Sequence, residues 1–215
     1  MEHLTEKLLT FLEKLNPEIF RKIKASMTSR LGQGFSWNML SLVILAANGF
    51  LMNALIVATR GEEALGVFNQ VYAIYLIFSQ VVVFGLHHSV LRLVSVNDKN
   101  RNYCSEITIS ALILIALISI PATILSLLLI KPISYFLDSP DVIAGLFYTL
   151  PSLFFFSINK VLINVLNGLN EIKTFSFFRS LRYILLPVII LIIIILKLDS
   201  RYISLSLSIC EFILS

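Results

Sequence analysis

The sequence predicts an all-α, polytopic helical membrane protein, one bundle of five complete transmembrane helices plus a truncated sixth. Three observations lead there. Hydrophobic residues make up 57% of the 215 and charged ones only 14%, where an ordinary soluble domain carries roughly 25% charged residues. So much apolar surface exceeds what a chain of this size can hide, whereas a bilayer solvates it and leaves only the backbone polar groups, which helices satisfy internally. The apolar residues fall into runs close to the ~20 residues that cross a hydrocarbon core. The basic residues collect at alternate ends of those runs, the pattern that sets membrane orientation.

Residues 1–33 read as an amphipathic cytoplasmic leader. Leu4, Leu8, Phe11, Leu12 and Leu15 recur at helical spacing between charges, and Asn16-Pro17 is an N-cap followed by a first-turn proline that starts a second short helix. Arg21, Lys22 and Lys24 would meet anionic headgroups if these helices lie on the membrane; a solvated leader fits equally. No apolar run early in the chain has the form of a cleavable signal peptide, so the first span is expected to direct insertion.

The bundle occupies 34–215. The first span, 37–59, is free of charge, and the second, 66–96, stays uncharged until Arg92. The third, 107–130, is the most uniformly apolar, and the fourth, 142–167, contains Lys160. The fifth, 177–196, has a short apolar core extended by aromatics, with Arg179 and Arg182 expected to snorkel to the headgroups. From 203 to 215 a sixth run begins and is too short to cross. Pro121 and Pro187 each remove a ladder hydrogen bond and are expected to kink the third and fifth helices.

Thirteen of the 17 Lys and Arg residues fall on the side of the amino terminus, against Arg60, Lys131, Lys197 and Arg201 on the other. Cytoplasmic flanks carry the basic excess, so the amino terminus is expected in the cytoplasm. The basic residues are scattered between apolar runs rather than gathered in a stripe, which argues against nucleic acid as a partner. Cys104 and Cys210 stand in no disulfide or zinc pattern and read as small apolar residues.

No Gly-rich phosphate loop, metal-ligand spacing or acid pair indicates an enzyme or a cofactor. What remains is polar residues inside spans, which face a partner helix or a watery cavity. Lys160, Asn164 and Asn167 stand at i, i+4 and i+7 and share one helical face suited to an anionic, hydroxyl-rich ligand. The plain reading has Lys160 snorkelling and the amides capping the helix near Gly168. Gln80 shares a face with His87, and His88 with Arg92. Arg92 is either a ligand cation or a positive-inside anchor, and two adjacent His without carboxylate or Cys partners make a poor metal site but leave proton sensing open. Asn48 lies on a stripe of Asn38, Ser41, Leu45 and Met52, which serves either helix packing or cavity lining.

The order of residues adds a resemblance. A Gly and Trp-Asn enter the first span, Gly-Glu-Glu-x-Leu-Gly-x-Phe follows at Gly61 to Phe68, Gly-Leu precedes Ser-Val-Leu-Arg at Gly85 to Arg92, and NGLNEIKTFSFFRSL runs from Asn167 to Leu181. In this order, over roughly residues 30–215, these features resemble the amino-terminal half of polysaccharide flippases of the multidrug/oligosaccharidyl-lipid/polysaccharide exporter superfamily. The resemblance implies a transporter, not an enzyme, that carries undecaprenyl-pyrophosphate-linked oligosaccharide across the bacterial inner membrane for O-antigen, capsule or exopolysaccharide assembly. It further implies substrate contacts from Arg92, Lys160, Asn164, Asn167, Asn48, Gln80 and His87, with cations neutralising the pyrophosphate and amides bonding sugar hydroxyls. Family members have two six-helix bundles, so a carboxy-terminal bundle, in the same chain or a second one, is an expected partner alongside membrane lipid. His87 and His88 depart from the family pattern. The alternatives are a cation-coupled drug exporter of the same superfamily, for which Glu211 is the one acid well inside a predicted span, and a non-transporting scaffold for glycosyltransferases.

Overall fold

The structure is a computed structural model and describes residues 30–137 and 139–215. The leader assigned to 1–33 therefore lies, up to residue 29, outside the described residues. Among those described there is no strand. The helices are α1 (Arg30–Val83), α2 (Leu86–Val96), α3 (Arg101–Phe136), α4 (Asp141–Gly168), α5 (Ile172–Ile195), a 3-10 turn (Ser200–Ser204) and α6 (Leu205–Leu214). Four of them, α1 and α3 to α5, are long and apolar enough to cross a membrane, so the chain is a multi-pass, all-helical membrane protein.

α1 is not a rod. Gly61 leaves the helix at φ 88°, ψ 174°, a conformation essentially confined to glycine. Residues on either side of it, Met52 nine positions before and Phe68 seven after, Asn48 thirteen before and Tyr75 fourteen after, line one cavity. The arms 30–60 and 62–83 thus run back alongside each other, and where the sequence suggests a loop between two spans there is a single non-helical residue.

The second predicted span, 66–96, is interrupted. Phe84 (φ 48°) and Gly85 (φ 74°) are both left-handed, and a right-handed helix cannot pass through two such residues. The Phe84 N–H still reaches back to Gln80 O at 3.2 Å, and the helix restarts with His88 N–H on Gly85 O at 3.0 Å. This break separates Gln80 from His87, which the unbroken periodicity had put on one face.

At 36 residues α3 runs well past its predicted 107–130; at 1.5 Å per residue it is about 54 Å long against a hydrocarbon core of about 30 Å. The Asn100 side chain caps its start by accepting the Tyr103 N–H at 3.2 Å. Its outer face presents Ile113, Leu117, Ile124 and Leu128, all more than half exposed, which lipid solvates. The helix continues through Pro121 and Pro132, as α5 does through Pro187.

α4 matches its predicted 142–167 to within a residue at each end and is the most enclosed of the four apolar helices. Close approach explains this. A Cβ on Gly145 would stand 2.6 Å from Val71 Cγ2, and one on Gly168 would stand 3.0 Å from Leu91 O, so only glycine lets the neighbouring helices in. Asn170 (φ 60°) then reverses the chain, with Glu171 N–H closing on Leu166 O at 3.0 Å, and α5 begins at Ile172. That is five residues before the predicted 177–196.

Lys197 (φ 53°) ends α5 with Leu198 N–H on Ile193 O, and Asp199 starts the 3-10 turn by accepting the Arg201 N–H at 3.1 Å. That bond holds the Asp199 carboxyl below its ordinary value. The last run, predicted as 203–215, is the 3-10 turn and α6. Ser208 ties α6 to α4 by donating to Tyr148 O at 2.6 Å.

The connections gather at two ends. Arg60 donates to Leu198 O at 2.5 Å, and with Asp141 and Arg201 it lines a shared recess of about 320 Å³. At the other end Gly168 packs on Leu91 and Val94. The main core joins α1, α4, α5 and α6 through Ile56, Phe68, Leu153, Ile190 and Leu207, and a second, around Val94, Ile115 and Val161, locks α2 onto α3 and α4.

Candidate functional site

A cavity of about 430 Å³ lies between the two arms of α1, α4, α5 and α6. Each wall contributes by helical spacing. From the 30–60 arm come Asn48, Met52 and Asn53; from the 62–83 arm Asn69, Tyr72, Tyr75 and Gln80; from α4 Phe156 and Lys160, and from α5 Arg182 and Tyr183. Amides and phenols therefore alternate with apolar side chains around two cations.

Behind this wall stands a buried polar network. Arg182 pairs with Glu211 of α6. The second carboxylate oxygen of Glu211 accepts from Asn159 Nδ2 at 3.0 Å, and the same amide donates to Glu211 O at 2.9 Å. Tyr75 donates to Glu211 Oε1 at 3.5 Å and accepts from Arg182 at 3.4 Å. Glu211 is 2% exposed, so its charge is tolerable only because both oxygens are engaged. The Phe156 ring lies 4.6 Å from the Arg182 guanidinium and 5.7 Å from Lys160 Nζ, both within cation–π range. With Arg182 neutralised by Glu211, the charge left at the cavity surface, among the described residues, is that of Lys160.

Arg182 does not snorkel, contrary to the expectation from sequence. With α5 starting at Ile172, Arg182 sits ten residues in, about 15 Å from the helix start at 1.5 Å per residue, and its guanidinium is held inward by Glu211 of α6. Arg182, Tyr75 and Asn159 are the site residues that the reading of spans missed. A signal existed, because an acid alone inside an apolar run, Glu211, demands a cation from another helix.

The sequence-selected residues divide. Lys160, Asn48 and Gln80 line the cavity. Asn164 turns its amide onto Lys160 O of its own helix at 2.7 Å, and Asn167 lies at the end of α4, where its carbonyl accepts the Asn170 N–H; neither lines the cavity. Arg92 is exposed on α2, away from the cavity wall. His87 is buried against His88, with ring centroids 3.9 Å apart, and its Nδ1 has no hydrogen-bond partner among the described residues. The three-membered face expected from Lys160, Asn164 and Asn167 is thus reduced to Lys160, because only the middle of α4 faces the arms of α1. Cys104 and Cys210 are buried and free, each directing its thiol at a backbone carbonyl.

No family model, curated protein or solved structure matches the chain.

Proposed function

We propose that this chain is the amino-terminal bundle of a lipid-linked oligosaccharide flippase, moving undecaprenyl-pyrophosphate-linked sugar across the bacterial inner membrane for surface polysaccharide assembly. In this reading the arms of α1 are separate crossings, giving five spans with α6 entering a sixth, and the amino terminus is cytoplasmic. The observation that carries it is the cavity itself: one uncompensated cation, Lys160, among the amides Asn48, Asn53, Asn69 and Gln80. A cation in a shielded cavity attracts a phosphate far more strongly than one in open water, and amides suit sugar hydroxyls. A facing bundle would close the cavity, and rocking of the two bundles would expose it to each side in turn.

The test is Lys160→Gln in the full-length protein, with membrane level and polysaccharide export measured together. The expected result is normal insertion with export reduced at least about tenfold, a loss of one charge-assisted contact. Full export at normal membrane level would remove the assignment, and parallel loss of level and export would make Lys160 an anchor.

A cation-coupled drug exporter is the second reading, favoured by the buried carboxylate of Glu211. Its engagement by Arg182, Tyr75 and Asn159 weighs against it, since a coupling cation would have to displace all three. Drug efflux that survives Lys160→Gln but not Glu211→Gln would select this reading.

A further inference from the structure

The polar cavity is not closed on its α5 side. Between the 30–60 arm and α5 runs a second concavity of about 400 Å³, walled by Ala47, Leu51, Leu55, Ile184, Val188 and Leu191. It faces lipid, for Leu51, Ile184, Val188 and Leu191 are each 43–54% exposed. Asn48 and Tyr183 line both this groove and the polar cavity, so the two meet there.

Asn48 is the unusual residue at that seam. It is 9% exposed; among the described residues its Nδ2 donates only to the weak acceptor Met52 Sδ at 3.5 Å and its Oδ1 has no partner. A buried amide carbonyl without a donor is costly, and such groups in native structures call for an unplaced partner. Here the partner must bring an O–H or N–H to the junction of an apolar groove and a cationic cavity.

We infer that the groove between the 30–60 arm and α5 holds the isoprenoid chain of the lipid-linked substrate as it leaves the polar cavity, with a head-group hydroxyl donating to Asn48 Oδ1 at the seam. This rests on the flippase reading and adds the path of the lipid to it. The two compartments match the two halves of such an amphiphile: neither the chain in the cavity nor the pyrophosphate in the groove would be solvated. Depth selects this lipid over an ordinary one. Tyr183 lies eleven residues into α5, about 16 Å from the helix start at 1.5 Å per residue. A chain emerging at that depth carries its head group inside the bundle, whereas a bilayer lipid keeps its head group at the interface. From Tyr183 to Leu191 the groove follows α5 for eight residues, about 12 Å of chain path.

The test uses the full-length protein in vesicles and two photoreactive probes: a polyprenyl-pyrophosphate-linked N-acetylglucosamine with a diazirine on its isoprenoid chain, and a phosphatidylglycerol with a diazirine on its acyl chain. The first is expected to mark peptides 44–55 and 183–191, and unlabelled substrate to compete. Val188→Trp fills the groove and should cut that labelling about tenfold, while Leu117→Trp on the exposed face of α3 should leave it unchanged. Ala47→Leu serves as a second groove block whether or not Val188→Trp inserts. Asn48→Leu should weaken the sugar-bearing probe more than bare polyprenyl phosphate, which carries no sugar hydroxyl to donate. Equal marking of the groove by phosphatidylglycerol would make its occupant ordinary lipid and overturn the inference. So would a disulfide between two copies carrying Val188→Cys, which would make it a contact between chains. Probe bound in the cavity with the groove unmarked removes the groove alone, whereas no binding of the probe at either place removes the flippase reading with it.

Discussion

Arg182 of α5 and Glu211 of α6 form an ion pair inside the bundle, with Glu211 3% and Arg182 21% exposed at their side chains. Besides this pair, the two helices meet through apolar packing and the weak contact of the Cys210 thiol with Arg182 O at 3.5 Å. Buried pairs of this kind contribute little net stability while both partners are present, but losing one strands the other's charge. Arg182→Met alone is therefore expected to cost about 3 kcal/mol, and Arg182→Met with Glu211→Leu to recover most of it. Thermal unfolding in detergent measures both; equal losses in the single and double variants would show that Glu211 is not dependent on Arg182.

Gly61 tests the hairpin in α1. A Cβ there would meet nothing within 4 Å, so any cost of Gly61→Ala comes from the backbone at φ 88° alone, about 1–3 kcal/mol. Gly66, equally uncrowded but in ordinary helical conformation, gives the opposite sign: Gly66→Ala should gain up to about 1 kcal/mol. Matching effects at the two positions would mean that Gly61 is helical and the two arms continuous.

Gly145 tests packing. Its added methyl would lie 2.6 Å from Val71 Cγ2, so Gly145→Ala should destabilise by about 1–3 kcal/mol. Combining it with Val71→Ala should relieve part of the loss, giving a coupling above about 0.5 kcal/mol in a double-mutant cycle. Strict additivity would place the two residues apart.

The two ends of the bundle fix accessibility. Glu62 and Asp141 belong with the end where Arg60 meets Leu198, and Asp98 and Lys173 with the end where Gly168 packs on Leu91. After removal of Cys104 and Cys210, cysteines at 62 and 141 should react with an impermeant thiol reagent in intact cells. Those at 98 and 173 should be protected, as the 13 to 4 distribution of basic residues requires. Mixed labelling within either pair would contradict the antiparallel arrangement, and reversed labelling of both pairs would invert the orientation.

The helical class and the fourth helix follow from features that a sequence states locally, namely length, hydropathy and a three-to-four residue period, and for Lys160 and Asn48 the same features offer the cavity wall as one of two readings. The pairing of Arg182 with Glu211 does not, since it joins residues 29 apart through a packing that no period encodes. Arg182 was misread because its depth depends on where α5 begins, and Asn170 in left-handed conformation moves that start to Ile172. The face shared by Gln80 and His87 failed for a similar reason. Apolar periodicity runs on through Phe84 and Gly85, and only the left-handed backbone there shows that the helix does not.

Rotation at the single-residue link of Gly61 would swing the two arms of α1 like the legs of a compass. Arg60, fastened to Leu198 O, sits at the pivot. Displacement then grows with distance along the leg, so a rotation of about 10° moves Met52, nine residues away, by about 2 Å, and Leu45, sixteen residues away, by about 4 Å at 1.5 Å per residue. Such a rotation would change the cavity least near Phe68 and Met52, its throat, and most near Leu45 and Gln80, its mouth. On the proposed flippase reading, head groups of different bulk would be accommodated at the mouth, while the throat would set a diameter common to all of them.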